Sequence, residues 1–242
     1  MSEPALQFPP PLTMIASVHI ADVGGAAALR VLRRPPRAPG LRKANVALTA
    51  ALGTIRPSPN LGRPALVALW DDDAALDRFL LEHPMAAALA GGWHVRLDPL
   101  RAHGSWPGLP EDVPRQRKVD HDGVAAVLTL GRLRLTQTVR FLRHSKRTGD
   151  QVLRAPGLIW ATAMARPPFV GTCSLWESSD AIAAYAYGEE PPHPDAIAAG
   201  RAKPFHHQEV FIRFRPYGSE GSLAGRNPLA ESWLARDPGR TG

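Results

Sequence analysis

The chain repeats itself, and the repeat limits the folds open to it. The stretch ALVALWDDDAALDRFL, starting at Ala65, is answered by GTCSLWESSDAIAAYAY, starting at Gly171, with Leu69-Trp70 and Leu175-Trp176 in register. Each copy is a short apolar run, an acidic turn and a helical pattern. Downstream, His83-Pro84 recurs as His193-Pro194, and GSWPG at Gly104 recurs as GSLAG at Gly221. A period close to half of the 242 residues is too long for a solenoid and reads as two fused copies of one unit.

Hydrophobic periodicity and turn residues fill in each copy. In the first, a strand within 12–23 precedes a helix over 26–34 that Pro35-Pro36 stops. A segment at 44–56 follows, its second half read as a strand, then a strand at 64–70, a helix capped by Asp71–Asp73 to about Glu82, and a strand at 93–99. In the second, the pattern predicts a strand at 124–135, a helix at 136–153, strands at 157–165 and 169–176 about a Pro167-Pro168 break, a helix at 178–187, and a strand at 208–216. A loop and short helix through Gly200 precede that last strand.

Each half is therefore β-α-β-β-α-β, the ferredoxin-like order, with one sheet face covered by helices and the other open. The expected class is α+β: tandem ferredoxin-like repeats closing their open faces on each other, a dimeric α+β barrel within one chain, with a sheltered cavity between the sheets. The halves are 12–106 and 123–225 with a linker at 107–122, and the Pro- and Gly-rich tails at 1–11 and 226–242 are expected to be poorly ordered.

With 44% hydrophobic and 21% charged residues, the composition is that of a globular protein. No apolar run approaches the roughly 18 residues a membrane span needs, and the N-terminus carries no leader-like pattern, so a soluble, cytoplasmic protein is expected. The single cysteine, Cys173, excludes an intramolecular disulfide, and its strand position suits a small core residue. The net charge of +7 is carried almost wholly by arginine. Its densest segment, 30–43, reads as a solvated helix end and loop; no aromatic stacking platform accompanies it, so no nucleic-acid partner is expected.

The halves differ in one place. Between its last helix and last strand the second half carries GEEPPHPDAIAAGRAKPFHH where the first has the shorter EHPMAAALAGGWH, which points to the second half as the bearer of a site. Within it, His193 sits between prolines at a helix start, where the positive end of the helix disfavours the imidazolium and keeps the ring neutral, as a metal ligand must be. Glu189, Glu190 or Asp195 is placed to take the other ring proton. On the last strand, alternation puts Val210, Ile212 and Phe214 on one face, assigned to the helix side, and Phe211, Arg213 and Arg215 on the other, with Phe211 and Arg213 assigned to the cavity and Arg215, near the strand end, to solvent. His206-His207 point opposite ways and make a poor chelating pair. No nucleophile motif, phosphate loop, HExxH or paired-carboxylate spacing is present.

The runs SLWESSDAIAAYAYG, PHPDAI (192–197) and FIRFRPYGSEGSLAG together resemble the spheroidene monooxygenase-like family. The resemblance is fullest over the second half; in the first it rests on ALVALW and HGSWPG. That family comprises haem-containing oxygenases on a dimeric α+β barrel, with a named member that oxidises acyclic carotenoids. The resemblance implies haem b, with its iron, one per chain, His193 as axial ligand and Arg213 as a propionate partner beside Phe211. It also implies a small, apolar, carotenoid-like substrate, dioxygen or peroxide, and an electron donor; assembly into a homo-oligomer stays open. The chain departs from the family where it reads MARPPFVG in place of a GxGExP-like turn and Leu223 in place of a tryptophan. Rival expectations are an aldoxime dehydratase-like or peroxidase-like haem enzyme, or a non-catalytic barrel that holds haem or a small ligand.

Overall fold

The computed structural model describes residues 14–54, 59–187 and 204–230. The first half runs β1 (Ile15–Ile20), α1 (Gly25–Arg33), β2 (Leu41–Ala50), β3 (Pro59–Trp70), α2 (Asp73–Glu82), α3 (Pro84–Leu89) and β4 (Trp93–Gly104). The second runs β5 (Ala125–Leu133), α4 (Thr138–Leu153), β6 (Leu158–Arg166), β7 (Phe169–Trp176), α5 (Ser179–Tyr187) and β8 (His206–Gly221). Strands pair antiparallel in the order β4-β1-β3-β2 in one half and β8-β5-β7-β6 in the other. Antiparallel pairs β2–β6 and β4–β8 join the halves into one closed eight-stranded barrel, which removes every sheet edge. This is the tandem ferredoxin-like α+β barrel that the repeat implied.

Local chemistry sets the element boundaries. Gly24, at φ 77°, turns the chain from β1 into α1 in a conformation that a Cβ would strain. Asp72 caps α2 by accepting from the Ala75 N–H at 2.8 Å. The first His-Pro step also works as a cap: Met85 N–H donates to His83 Nδ1 at 3.0 Å, and Pro84 fills the first helical position. β2 starts earlier than the sequence suggested and takes in Arg42 and Lys43, with Arg42 Nε on Asp71 Oδ1 at 2.6 Å. Outward-facing cations hid that strand's alternation.

The barrel lumen is the main core. The Leu-Trp pair of each repeat splits across its sheet: Leu69 and Leu175 enter the lumen, while Trp70 and Trp176 lie under the helices. Each indole N–H finds a serine on the same face, Trp70 Nε1 donating to Ser17 Oγ at 2.8 Å and Trp176 Nε1 to Ser174 Oγ at 2.9 Å. The lumen is packed with Val18, Leu97, Leu128, Phe214 and their neighbours, so the expected cavity between the sheets is instead solid apolar core.

That packing corrects the facing assigned to the last strand. Val210, Ile212 and Phe214, all fully buried, point into the lumen, and Phe211, Arg213 and Arg215 point out toward the helix side. A lumen filled by two sheets leaves no water and no anion for a guanidinium, and burying one unpaired is prohibitively costly. Arg215 instead pairs with Asp98 Oδ2 at 2.5 Å on the outer surface.

The segment after β8 also differs from the expected tail as far as Ala230. Leu229 is fully buried in the lumen core, and Asn227 Oδ1 accepts from Ser219 Oγ at 2.8 Å and from Leu229 N–H at 3.0 Å. Residues 1–13 and 231–242 lie outside the described part of the chain.

Under the helices of the first half, His19 is buried, stacked on His94 at 5.2 Å between ring centroids and bonded to Ser17 Oγ at 2.9 Å. Burial, then the charges of His94 and Arg96, push its pKa down to about 3. Folded His19 is therefore neutral where the unfolded chain, titrating near 6.5, takes up a proton. The contribution of His19 to stability is flat above pH 6.5 and falls below it, by about 1.4 kcal/mol per pH unit once the unfolded histidine is protonated. Urea unfolding between pH 7.5 and 5, above the carboxylate range, should show this slope in the wild type and a shallower one in His19→Leu.

Candidate functional site

The helix-facing sides of the two half-sheets are built from opposite materials. In the first half Leu66, Trp70, Leu76 and Phe79 interlock under α1, α2 and α3. In the second half the strands present small residues to that side: Val127 and Thr129 on β5, Thr172 and Ser174 on β7, and Ala161 and Ala163 on β6. These alternate with the lumen residues Ala126, Leu128, Cys173 and Leu175. Apart from Ser174 they are only half-buried, and among the described residues just Ala125, Trp176 and Ile182 form a buried cluster there.

α4 explains the vacancy. Its only buried residue is Gly149, and a Cβ there would stand 2.3 Å from Gly53 N, so the helix rests its far end on the β2–β3 turn through a close glycine contact. Phe141, on its first turns, is half-buried and meets Phe205 and His206 edge-on. Among the described residues, the result is a sheet floor of small side chains against which α4 buries only Gly149.

Phe211 and Arg213, on β8, belong to this floor: Phe211 pairs with Thr129 and Arg213 with Val127. Phe211 is 45% exposed, Arg213 half-buried. The structure thus brings both residues to one face, although not the face the sequence suggested. His193 lies outside the described residues.

One residue of this face was set aside by the sequence reasoning. His206 packs over Gly131, with its Nδ1 on Glu209 Oε2 at 2.8 Å and its side chain only 14% exposed. The hydrogen bond from His206 holds the Glu209 carboxyl below its ordinary range. His206 Nε2 is buried with no hydrogen-bond partner among the described residues. A carboxylate on Nδ1 selects the tautomer in which Nε2 is an acceptor, so an imidazole lone pair is held ready at the edge of the floor. The signal in the sequence was the HHQE spacing, which places Glu209 three residues on. It was missed because His206 and His207 were judged only as a chelating pair.

Cys173, buried in the lumen, has its thiol pushed up to about 12 by burial and is inert as a nucleophile. Among the described residues no three His, Cys, Asp or Glu side chains come together as a metal site, and no helix is long and apolar enough to cross a membrane.

Fold and site together define a tandem α+β barrel whose second half carries small side chains on the helix side of its sheet. No family model matches the sequence. The chain is 32% identical to the spheroidene monooxygenase of Rubrivivax gelatinosus over 194 residues, 78% of this chain and 73% of that protein. It is 28% identical to that of Rhodobacter capsulatus over 188 residues, 75% of this chain and 78% of that one. With that of Cereibacter sphaeroides it shares 27% identity over 186 residues, 74% of this chain but 57% of the relative's length. The chain belongs to the spheroidene monooxygenase family. Among solved structures it is similar to an aldoxime dehydratase in complex with butyraldoxime, at TM-score 0.49 and 10% identity, covering 84% of this chain and 79% of that one.

Proposed function

We propose that this protein is a haem-dependent monooxygenase acting on an apolar, carotenoid-like substrate, with the haem held over the second half-sheet and His193 as its axial ligand. The observation that carries this is the contrast between halves among the described residues: one helix–sheet interface is packed solid, and its duplicate is floored with small side chains that are mostly half-buried. A duplicated fold loses packing energy by keeping such a face, so a ligand that covers it accounts for the difference.

The residues present fit a flat, largely apolar group with anionic edges. The floor residues are small, half of them aliphatic and half hydroxyl-bearing, Arg213 stands on it by register, and His206 Nε2 is buried beside it with no hydrogen-bond partner among the described residues. His83 uses Nδ1 to accept from the first turn of α3, and burial lowers its pKa, so its neutral ring carries the proton on Nε2 and serves as a cap. Bound haem would supply the oxidising chemistry. The chain's own residues do the rest. Arg213 would meet a carboxylate, Phe211 adds an aromatic surface that excludes water, and His206, oriented by Glu209, presents a hydrogen-bond acceptor at Nε2.

The test is an absorption spectrum of the purified protein and of His193→Ala, both expressed with haem supplied. A Soret band in the wild type that is lost or displaced in the variant is expected. A wild type that takes up no haem overturns the proposal.

A further inference from the structure

We infer that the start of α4 is a membrane-docking face that seats the protein on an anionic bilayer. This rests on the apolar-substrate reading, because a long hydrocarbon resides in a bilayer and must be collected from it. The observations are independent of the haem. Leu135 and Val139 are each 64% exposed, large apolar side chains in open solvent. Leu135 lies on the single 3-10 turn that leads into α4, and Val139, Arg143 and Arg147, spaced by four, share one side of the helix, with both arginines exposed.

The surrounding charge is one-sided. Between Arg132 and Arg154 the sequence carries seven lysines and arginines against one acid, Asp150, which pairs with Lys146 at 2.6 Å. Neither Arg143 nor Arg147 joins an ion pair among the described residues. The crowding reaches His144, whose pKa is held below its ordinary value by burial and then by Arg140 and Arg147. The adjoining ends of β5 and of the β6–β7 hairpin extend the same chemistry: Arg132, Arg134, Leu135 and Pro168 line a shallow recess there.

Exposed aliphatic side chains ringed by arginine are what an interfacial helix presents, the aliphatics entering the acyl boundary and the guanidiniums meeting lipid phosphates. An acidic protein partner would account for the arginines but not for the two unpartnered aliphatics.

The experiment is co-sedimentation of the full chain with vesicles of phosphatidylcholine alone and of phosphatidylcholine with phosphatidylglycerol. Binding to the anionic vesicles only is expected. It should fall at least tenfold in Leu135→Glu/Val139→Glu and in Arg143→Glu/Arg147→Glu, with circular dichroism and thermal unfolding showing both folded. No binding to anionic vesicles, or binding that both pairs leave intact, overturns the inference. So does binding lost in the arginine pair alone, which is the mark of an acidic protein surface, or concentration-dependent self-association that only the aliphatic pair abolishes. Turnover of a carotenoid in detergent separates the two proposals. If the wild type converts none, the substrate reading fails while vesicle binding still decides the docking.

Discussion

Phe214→Ala should destabilise the protein by about 3–5 kcal/mol, while Phe211→Ala, three residues earlier on the same strand, should cost less than about 1 kcal/mol. Phe214 is fully buried in the barrel lumen, where both half-sheets interlock and truncation leaves a cavity that neighbours cannot fill. Phe211 is 45% exposed on the outer face, with little packing to lose. Total stabilities run at about 5–15 kcal/mol, so the first variant should lose a large share of the whole and the second very little. Urea unfolding of the two variants beside the wild type reads the difference directly. A larger loss in Phe211→Ala would mean that β8 faces the other way and that the floor described above is not a floor.

Thr172→Phe should leave the fold intact and abolish haem binding. Thr172 lies mid-floor on β7, opposite Thr129 and Ala163, half-buried beneath a helix that does not reach it. A phenyl ring there enters space that the apoprotein leaves open, so the thermal midpoint should hold or rise. The same ring occupies the volume the ligand needs, and affinity should fall at least a hundredfold by spectral titration with haemin, with Thr172→Ser behaving as wild type. Wild-type affinity in Thr172→Phe would place the ligand elsewhere and remove the physical basis of the proposed function.

The repeat, the order of elements and the positions of the turns were legible in the chain because they rest on local chemistry. Asp72 before a helix, Pro35-Pro36 after one and the alternation of Val95 and Leu97 with His94 and Arg96 need no tertiary partner to be read. The segments that were misjudged depend on what lies opposite. The early start of β2 comes from pairing with β3, which recruits Arg42 and Lys43 into a ladder that their own propensities do not favour. Leu229 reads as part of a polar tail until the open end of the barrel is there to receive it.

The candidate site divides in the same way. Phe211 and Arg213 were identified by their spacing and by the family they resemble, but their direction was not, because alternation gives two faces and does not say which is inside. By itself, then, the sequence determined a duplicated ferredoxin-like unit, its strands and helices, and the residues that share a face. The tertiary structure alone decided which face became the packed lumen and which became the half-buried face of small residues. It also decided that His206, read as one of a poor pair, is oriented by Glu209 at the edge of that face. The physical reason is that periodicity records each residue's relation to its own strand, whereas burial, vacancy and hydrogen-bond partnership are set by whichever elements the closed barrel brings against it.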